Sequence, residues 1–159
     1  MKTIALSLFL ITFSLLSCFS QGVSTSETIV YINGKFSSKF QVRVEEEREM
    51  LIDFYRGGEI YRTDRVYLPT LDHKKIKFNS EEKSIALYCL NEMPKEYKKF
   101  MDGCVERTFH NKGLRKHYAR INLPVGTDQK TINGLITAFN HLIQISIDEG
   151  DYMGVDSFE

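Results

Sequence analysis

The period of the hydrophobic pattern changes part-way along the chain, and this change constrains the fold more than any other feature of the sequence. Up to about residue 90, short runs rich in β-branched and aromatic residues alternate with turn residues, which is typical of strands. Beyond that point apolar residues recur three and four positions apart, which is typical of amphipathic helices. The order predicts an α+β fold: an antiparallel or mixed β-sheet with two C-terminal amphipathic helices packed on one face.

The first strand is predicted at residues 28–32, which are β-branched and aromatic. The dipeptide Asn33-Gly34 follows directly. It is a strong hairpin signal, because a type I′ turn needs positive φ at both central residues. We therefore expect a hairpin whose second strand covers residues 36–44.

Residues 50–55 leave two alternatives open: a strand, or the end of a helix that begins in the preceding charge run. The turn at Gly57-Gly58 favours the strand, as part of a second hairpin. Residues 85–90 are apolar on both faces and predict a central strand. Further strands are predicted at residues 60–62, 66–68, 75–78 and 118–123.

Two helices are predicted in the second half. The first begins near Asn91 and ends near Gly113, and the second begins at a cap formed by Thr127 or Asp128 and ends near Gly150. Their apolar stripes are Tyr97, Phe100, Met101, Cys104, Val105 and Phe109 in the first helix, and Ile132, Leu135, Ile136, Phe139, Leu142 and Ile143 in the second.

The first twenty residues have the pattern of a secretory signal peptide. Lys2 provides a positive start, and the apolar run over residues 4–16 is shorter than the ~20 residues that span a membrane. Small residues precede a cut before Gln21. The sequence therefore predicts a signal peptide over residues 1–20 and one exported domain over residues 21–159.

A second processing route stays open, because residues 15–18 resemble a bacterial lipoprotein signal. Cys18 would then be lipidated and become the first residue, which would attach the protein to a membrane. Without lipidation we expect a periplasmic or secreted protein. A retained N-terminal anchor is the remaining alternative.

The net charge and the absence of known short motifs argue against several classes of function. The chain has 21 Lys and Arg against 21 Asp and Glu, whereas a protein that neutralises nucleic-acid phosphates is usually basic. The sequence contains none of the short motifs for a metal site, a phosphate-binding loop, a dinucleotide fold or a serine hydrolase. We therefore expect no nucleic-acid partner, no cofactor and no metal.

Cys89 and Cys104 are the other two cysteines of the chain. An exported protein meets an oxidising compartment, so the two can form a disulfide. The alternatives are two inert buried thiols, or one catalytic thiol with a nearby histidine base.

Charge is distributed unevenly in the second half. Residues 91–122 carry eight Lys and Arg against four Asp and Glu, a net charge of +4, and residues 123–159 carry one against six, a net charge of −5. The basic segment either faces an anionic lipid or glycan, neutralises the acidic tail, or is simply solvated.

The last predicted helix carries the candidate binding surface. Residues 131–147 contain no Lys, Arg, Asp or Glu, although solvated helix faces normally carry charge. The predicted surface is the polar stripe Thr137, Asn140, His141 and Gln144, at spacing i, i+3, i+4, i+7. The alternative is a neutral surface, or one covered by the tail.

The strand at residues 120–123, the turn at Gly126-Thr127 and the helix through residues 138–142 resemble the last strand and helix of the periplasmic domain of the ExbD/TolR family. The stretch from Ile29 to Phe36 resembles its first strand. The resemblance implies a periplasmic domain that dimerises or binds a partner. It implies no proton-driven energy transduction, because residues 1–20 lack the acidic residue of that family's transmembrane helix.

The leading hypothesis is a non-enzymatic exported domain of a bacterial envelope that binds another envelope protein or forms a homodimer. The rival is a small secreted or periplasmic hydrolase whose site is assembled from distant residues such as Cys89, His117 and Asp128.

Overall fold

The computed structural model describes residues 23–36, 39–45, 48–100 and 102–155. These form an α+β fold with antiparallel sheets, one helix before the strands and one after them. The predicted signal peptide and Cys18 lie outside the described residues. The helices are α1 (Thr25–Phe36) and α2 (Gln129–Val155), and the strands are β1 (Phe40–Val44), β2 (Glu49–Arg56), β3 (Glu59–Tyr67), β4 (Leu71–Asn79), β5 (Ser84–Cys89), β6 (Val105–Phe109), β7 (Leu114–Tyr118) and β8 (Arg120–Pro124).

The strands form two antiparallel sheets that adjoin along one line. The five-stranded sheet has the order β1-β2-β3-β6-β7, and the three-stranded sheet has the order β4-β5-β8. Two connections pass directly from one sheet to the other: a single 3₁₀ turn, Leu68–Thr70, joins β3 to β4, and Ala119 alone separates β7 from β8. The two sheets are thus joined like the halves of one bent sheet.

β5 and β6 occupy the middle of this bent sheet, and we call them the middle ribbon. The ribbon is interrupted between the two strands. β5 ends at Cys89 between β4 and β8, and β6 begins at Val105 between β3 and β7. The chain leaves the sheet after Cys89 and returns to it before Val105. Cys104 therefore lies next to Cys89.

Several strand predictions are confirmed. Residues 50–55 lie in β2, and the turn at Gly57-Gly58 joins β2 to β3 as a hairpin. Residues 75–78 lie in β4, and most of the segment 85–90 forms β5, the central strand of its sheet. The strand predicted at residues 118–123 is divided at Ala119 between the two sheets.

The predicted strand at residues 28–32 is wrong, because this segment belongs to α1. Ser24 and Glu27 form a reciprocal capping box: the Ser24 N–H donates to Glu27 Oε2 (2.8 Å), and the Glu27 N–H donates to Ser24 Oγ (3.2 Å). Packing of one helical stripe against α2 and β1 outweighs the β-propensity of the segment. The buried members of this stripe are Thr28, Ile32 and Phe36.

Asn33 is therefore a helix residue and not the centre of a hairpin. Its Nδ2 donates to the carbonyl oxygen of Val42, and its Oδ1 accepts from the Val42 N–H, both at 2.8 Å. Val42 lies in β1, an edge strand. The asparagine amide thus takes the place of a neighbouring strand at that position.

The first of the two predicted C-terminal helices is also wrong. Lys95–Phe100 form 3₁₀ turns, and residues 105–109 form β6. Both sides of β6 are paired with other strands, and Gly103, with φ of +124°, has a backbone conformation that does not continue a helix. The described part of the fold therefore has one helix at each end, not two after the sheet.

The second predicted helix is confirmed as α2. Asp128 caps it, since Asp128 Oδ2 accepts from the Thr131 N–H at 2.9 Å. The helix continues to Val155, beyond the end predicted near Gly150. Its buried apolar residues join one core cluster with α1 and strands of both sheets. They are Ile132, Leu135, Ala138, Phe139, Leu142 and Ile143.

Candidate functional site

A groove of about 560 Å³ lies between α1 and α2, and we call it the helix groove. Three of the five large apolar side chains that are exposed in the described residues, Val23, Val30 and Tyr31, belong to α1 or the residues just before it. Val23 is 56% exposed and Tyr31 is 40% exposed. The lining residues are Val23, Glu27, Thr28 and Tyr31 on one side, and Gly134, Thr137, Ala138 and His141 on the other.

Small residues on α2 give the helix groove its depth. Gly134 and Ala138 are one helical turn apart on the same face of α2. The hydroxyl of Tyr31 occupies the space that a Cβ atom at position 134 would fill. A larger residue at position 134 would therefore displace Tyr31.

Two of the four residues of the predicted binding stripe lie in this groove. Thr137 is exposed there, and His141 Nε2 lies 2.7 Å from the carbonyl oxygen of Val23. Because a carbonyl oxygen only accepts, this hydrogen bond requires the proton on Nε2. His141 therefore connects α2 by a hydrogen bond to Val23, just before the start of α1.

The other two residues of the stripe are engaged elsewhere. Asn140 Nδ2 donates to the carbonyl oxygen of His73 in β4 at 3.1 Å. Gln144 Nε2 donates to Asp148 Oδ1, one turn further along α2, at 3.0 Å. The four residues consequently do not form one free surface, since the N-terminal helix and β4 divide them.

The α1 side of the groove is not predicted from the sequence. The hairpin signal Asn33-Gly34 placed residues 28–36 in strands. Two signals favoured a helix: the capping-box pattern of Ser24 and Glu27, and the four-residue spacing of the buried residues of α1.

Cys89 and Cys104 form a disulfide, with their Cα atoms 5.7 Å apart. The bond spans the interruption of the middle ribbon at the bend of the sheet. Gly103 lies against the backbone of Tyr118, so closely that a Cβ atom there would come within 2.7 Å of the Tyr118 carbonyl carbon and oxygen. This close approach brings the loop back to the sheet directly before the disulfide.

The three residues named for a hydrolase site have separate roles in this structure. Cys89 has no free thiol, because its sulfur is bonded to Cys104. His117 Nδ1 lies 3.3 Å from the carbonyl oxygen of Gly103, and Asp128 caps α2.

The most deeply buried charge of the described residues is Asp64 on β3, and it pairs with arginines of β3 and β6. Asp64 is fully buried and accepts from Arg107 Nε (2.7 Å) and Nη2 (2.8 Å) and from Arg62 Nη2 (3.2 Å). The Arg62 guanidinium carbon lies 3.5 Å from the ring centre of Phe54, and that of Arg107 lies 4.3 Å from the ring centre of Tyr118. The cluster holds the two strands together with charge-assisted hydrogen bonds.

The two arginines respond differently to this environment. Burial is the largest influence and lowers the pKa of Arg62. Burial acts in the same direction on Arg107, but the hydrogen bonds and the charge of Asp64 outweigh it and raise the pKa of Arg107. Both side chains remain charged at neutral pH, because arginine titrates far above it.

A second series of hydrogen-bonded polar side chains connects β2, β3 and the turn after β6. Thr63 Oγ1 donates to Asp53 Oδ1 at 2.7 Å, and His110 Nε2 lies 2.8 Å from Thr63 Oγ1. Because the only hydroxyl proton is directed to the carboxylate, Thr63 accepts from His110. In this arrangement His110 donates to the hydroxyl and is not placed to remove its proton.

Within residues 23–36, 39–45, 48–100 and 102–155, no group of three or more His, Cys, Asp or Glu side chains is arranged to hold a metal ion. None of the helices in this part of the chain combines the length and the apolar character needed to cross a membrane.

Comparison with family models, with curated proteins and with solved structures returns no match. The resemblance to the ExbD/TolR periplasmic domain stays a prediction.

Proposed function

We propose that this chain is a non-enzymatic exported domain of a bacterial envelope, which binds another envelope protein through the helix groove. The observation that carries the proposal is the exposed apolar surface of Val23 and Tyr31 beside the small residues Gly134 and Ala138. Solvent-exposed apolar side chains that line a groove between two helices are typical of sites for another protein segment. The signal-peptide pattern of residues 1–20 supports the location.

The occupant that fits this groove best is the apolar face of an amphipathic helix. The distance between two packed helices depends on the side chains at the contact, and Thr137 and Ala138 are small residues on the α2 side of the groove. Thr137 adds a hydrogen-bonding group without the desolvation cost of a charge. A second copy of this chain is the other form of partner.

Site-specific crosslinking in the native envelope tests this proposal. A photo-crosslinking residue at position 137 should give one discrete adduct, whereas the same residue at exposed position 74 on β4 should not. The mass of the adduct identifies either another protein or a dimer. Absence of an adduct at position 137, or equal adducts at both positions, would contradict the proposal.

Gly134→Ala separates binding from folding. The new methyl group displaces Tyr31 into the groove, so the adduct at position 137 should decrease. The fold should persist, because only the end of a flexible side chain must move and alanine is favoured over glycine in a helix by about 1 kcal/mol. A thermal melt provides the control.

Intact mass of the protein from the envelope fraction tests the location. A chain beginning at Gln21 or at a lipidated Cys18 supports export, and a chain still beginning at Met1 contradicts both forms of processing.

A further inference from the structure

The two sheets have edge strands β1, β4, β7 and β8, and side chains from the helices shield two of them. Asn33 of α1 makes two hydrogen bonds to Val42 in β1. Asn140 of α2 donates to the carbonyl oxygen of His73 in β4, and α2 packs against that strand. Each of these edges therefore meets a helix amide where another strand could otherwise pair.

The edge formed by β7 and β8 is different. Among the described residues, β7 pairs only with β6 and β8 pairs only with β5. Residues 114–117 are all exposed. Every second residue of an edge strand directs its N–H and C=O outward, so this edge offers main-chain groups to an added strand. Pro124, which has no N–H, ends the edge.

This edge is also basic. The sequence contains no Asp or Glu from residue 108 to residue 127. Within the described residues, the ion pairs of Arg115 and Arg120 are long, at 3.7 Å to Glu106 and 3.8 Å to Glu82. The edge cations without an ion pair in the described part of the chain are Lys112 and Lys116.

We propose that this basic edge, defined as residues 112–120, binds an extended acidic segment of a partner protein by adding it to the sheet as a further strand. Side chains alternate along β7, so Lys116 and Arg115 lie on opposite faces. Acidic residues on either face of the added strand therefore meet a cation. Cross-strand pairs of opposite charge stabilise such an arrangement.

The charge of the edge also selects the occupant. Two copies of the basic edge repel each other, because like charges directly opposite in a sheet are destabilising. Lysine on an edge strand equally discourages indiscriminate strand pairing. The partner is therefore a different chain with acidic side chains. This surface is separate from the helix groove, and the two proposals can fail independently.

A labelled ten-residue peptide of alternating Asp and Val is the probe. Titration with the purified chain, followed by fluorescence anisotropy, should show saturable binding that weakens as salt increases. Lys116→Glu should weaken it at least tenfold. The matched variant Lys39→Glu, which removes an exposed cation next to β1, should change the affinity less than twofold. Thermal melts of both variants control for folding.

Two further measurements distinguish strand addition from simple charge attraction. A peptide with proline replacing valine keeps its charge but loses main-chain donors, so it should bind at least tenfold more weakly. Hydrogen exchange should show new protection confined to residues 112–120 when the Asp–Val peptide is bound. Absence of binding, equal binding of the proline peptide, or protection at β1 instead would overturn the proposal.

Deletion of residues 151–159 tests whether the chain's own acidic segment occupies the edge. Protection that exists without peptide and disappears on this deletion would assign the edge to that segment, and would also overturn the proposal.

Discussion

Some single side chains at the boundary between helix and sheet have structural roles that their residue type alone does not predict. Asparagine is favoured in turns, yet Asn33 and Asn140 lie in helices and bind edge-strand backbone. An edge strand leaves backbone donors and acceptors unpaired, and burial of such groups without partners is costly. The amide side chain carries one donor group and one acceptor, which matches a peptide group.

Asn33→Leu tests this role. The variant removes both hydrogen bonds to Val42 and leaves the N–H and C=O of that residue without their partner. We expect a loss of about 1–3 kcal/mol in the free energy of unfolding, measured with denaturant. Asn133→Leu is the matched control, because Asn133 is exposed on α2, and it should change stability by less than about 0.5 kcal/mol. Equal losses in the two variants would contradict the role of Asn33.

Alanine in place of Gly103 and alanine in place of Gly34 should have opposite effects on stability. Gly103 has positive φ and lies against the Tyr118 backbone, which cannot move aside easily, so Gly103→Ala should destabilise the protein by about 2 kcal/mol or more. Gly34 lies in α1 with open space around it, so Gly34→Ala should be neutral or stabilising by up to about 1 kcal/mol. Thermal or denaturant unfolding measures both. A harmless alanine at position 103 would show that the loop does not need this close approach.

At the scale of elements, α1 depends on its N-terminal cap and on its partners. A helix of 12 residues is marginal in isolation, so the capping box and the packing against α2 and β1 both contribute. Ser24→Ala should lower the free energy of unfolding by about 1 kcal/mol. Ser26→Ala, at an exposed helical position nearby, should not lower it. Equal effects of the two substitutions would argue against the cap.

The same cap predicts a pH dependence. Hydrogen bonds from the Ser24 backbone and hydroxyl lower the pKa of Glu27 in the folded protein. Because the folded-state pKa is lower than the unfolded one, the stabilisation is fully present above the unfolded pKa and is lost as pH falls through the folded pKa. The difference in unfolding free energy between the parent and Glu27→Gln should therefore shrink as the pH is lowered below about 4.5. A difference that stays constant with pH would contradict the charged cap.

At the scale of the whole molecule, the disulfide closes the gap in the middle ribbon where the two sheets meet. Cys89 and Cys104 are separated by 15 positions, and a loop of that length corresponds to about 3 kcal/mol of stabilisation in the chain-entropy model. The denatured, unreduced chain should show two fewer thiols than the reduced chain, whatever the state of Cys18. Reduction, or replacement of both cysteines by alanine, should lower the unfolding free energy by about that amount. Equal thiol counts would reject the bond.

The sequence by itself determined the elements whose signals are local. The turn at Gly57-Gly58, the all-apolar run that forms β5 and the capped helix α2 each combine a periodic pattern with a matching start or stop residue. Such signals survive tertiary packing because packing requires the same faces to be buried. The four polar residues predicted as a binding stripe lie on α2, but only Thr137 and His141 line the helix groove, while Asn140 and Gln144 are hydrogen-bonded elsewhere.

Only the tertiary structure decided the elements whose local signals conflict. Residues 28–32 have high β-propensity but form a helix, since their four-residue spacing buries a stripe against α2 and β1. Residues 105–109 have helical spacing but form β6, because β3 and β7 supply hydrogen bonds on both sides and the disulfide holds the start of the strand in place. Long-range burial and pairing contribute more free energy than propensity, so the partners of a segment decide its conformation. The helix groove and the basic edge follow from these two outcomes. The helix groove exists because residues 28–32 are helical, and the basic edge exists because β6 is a strand that pairs with β7.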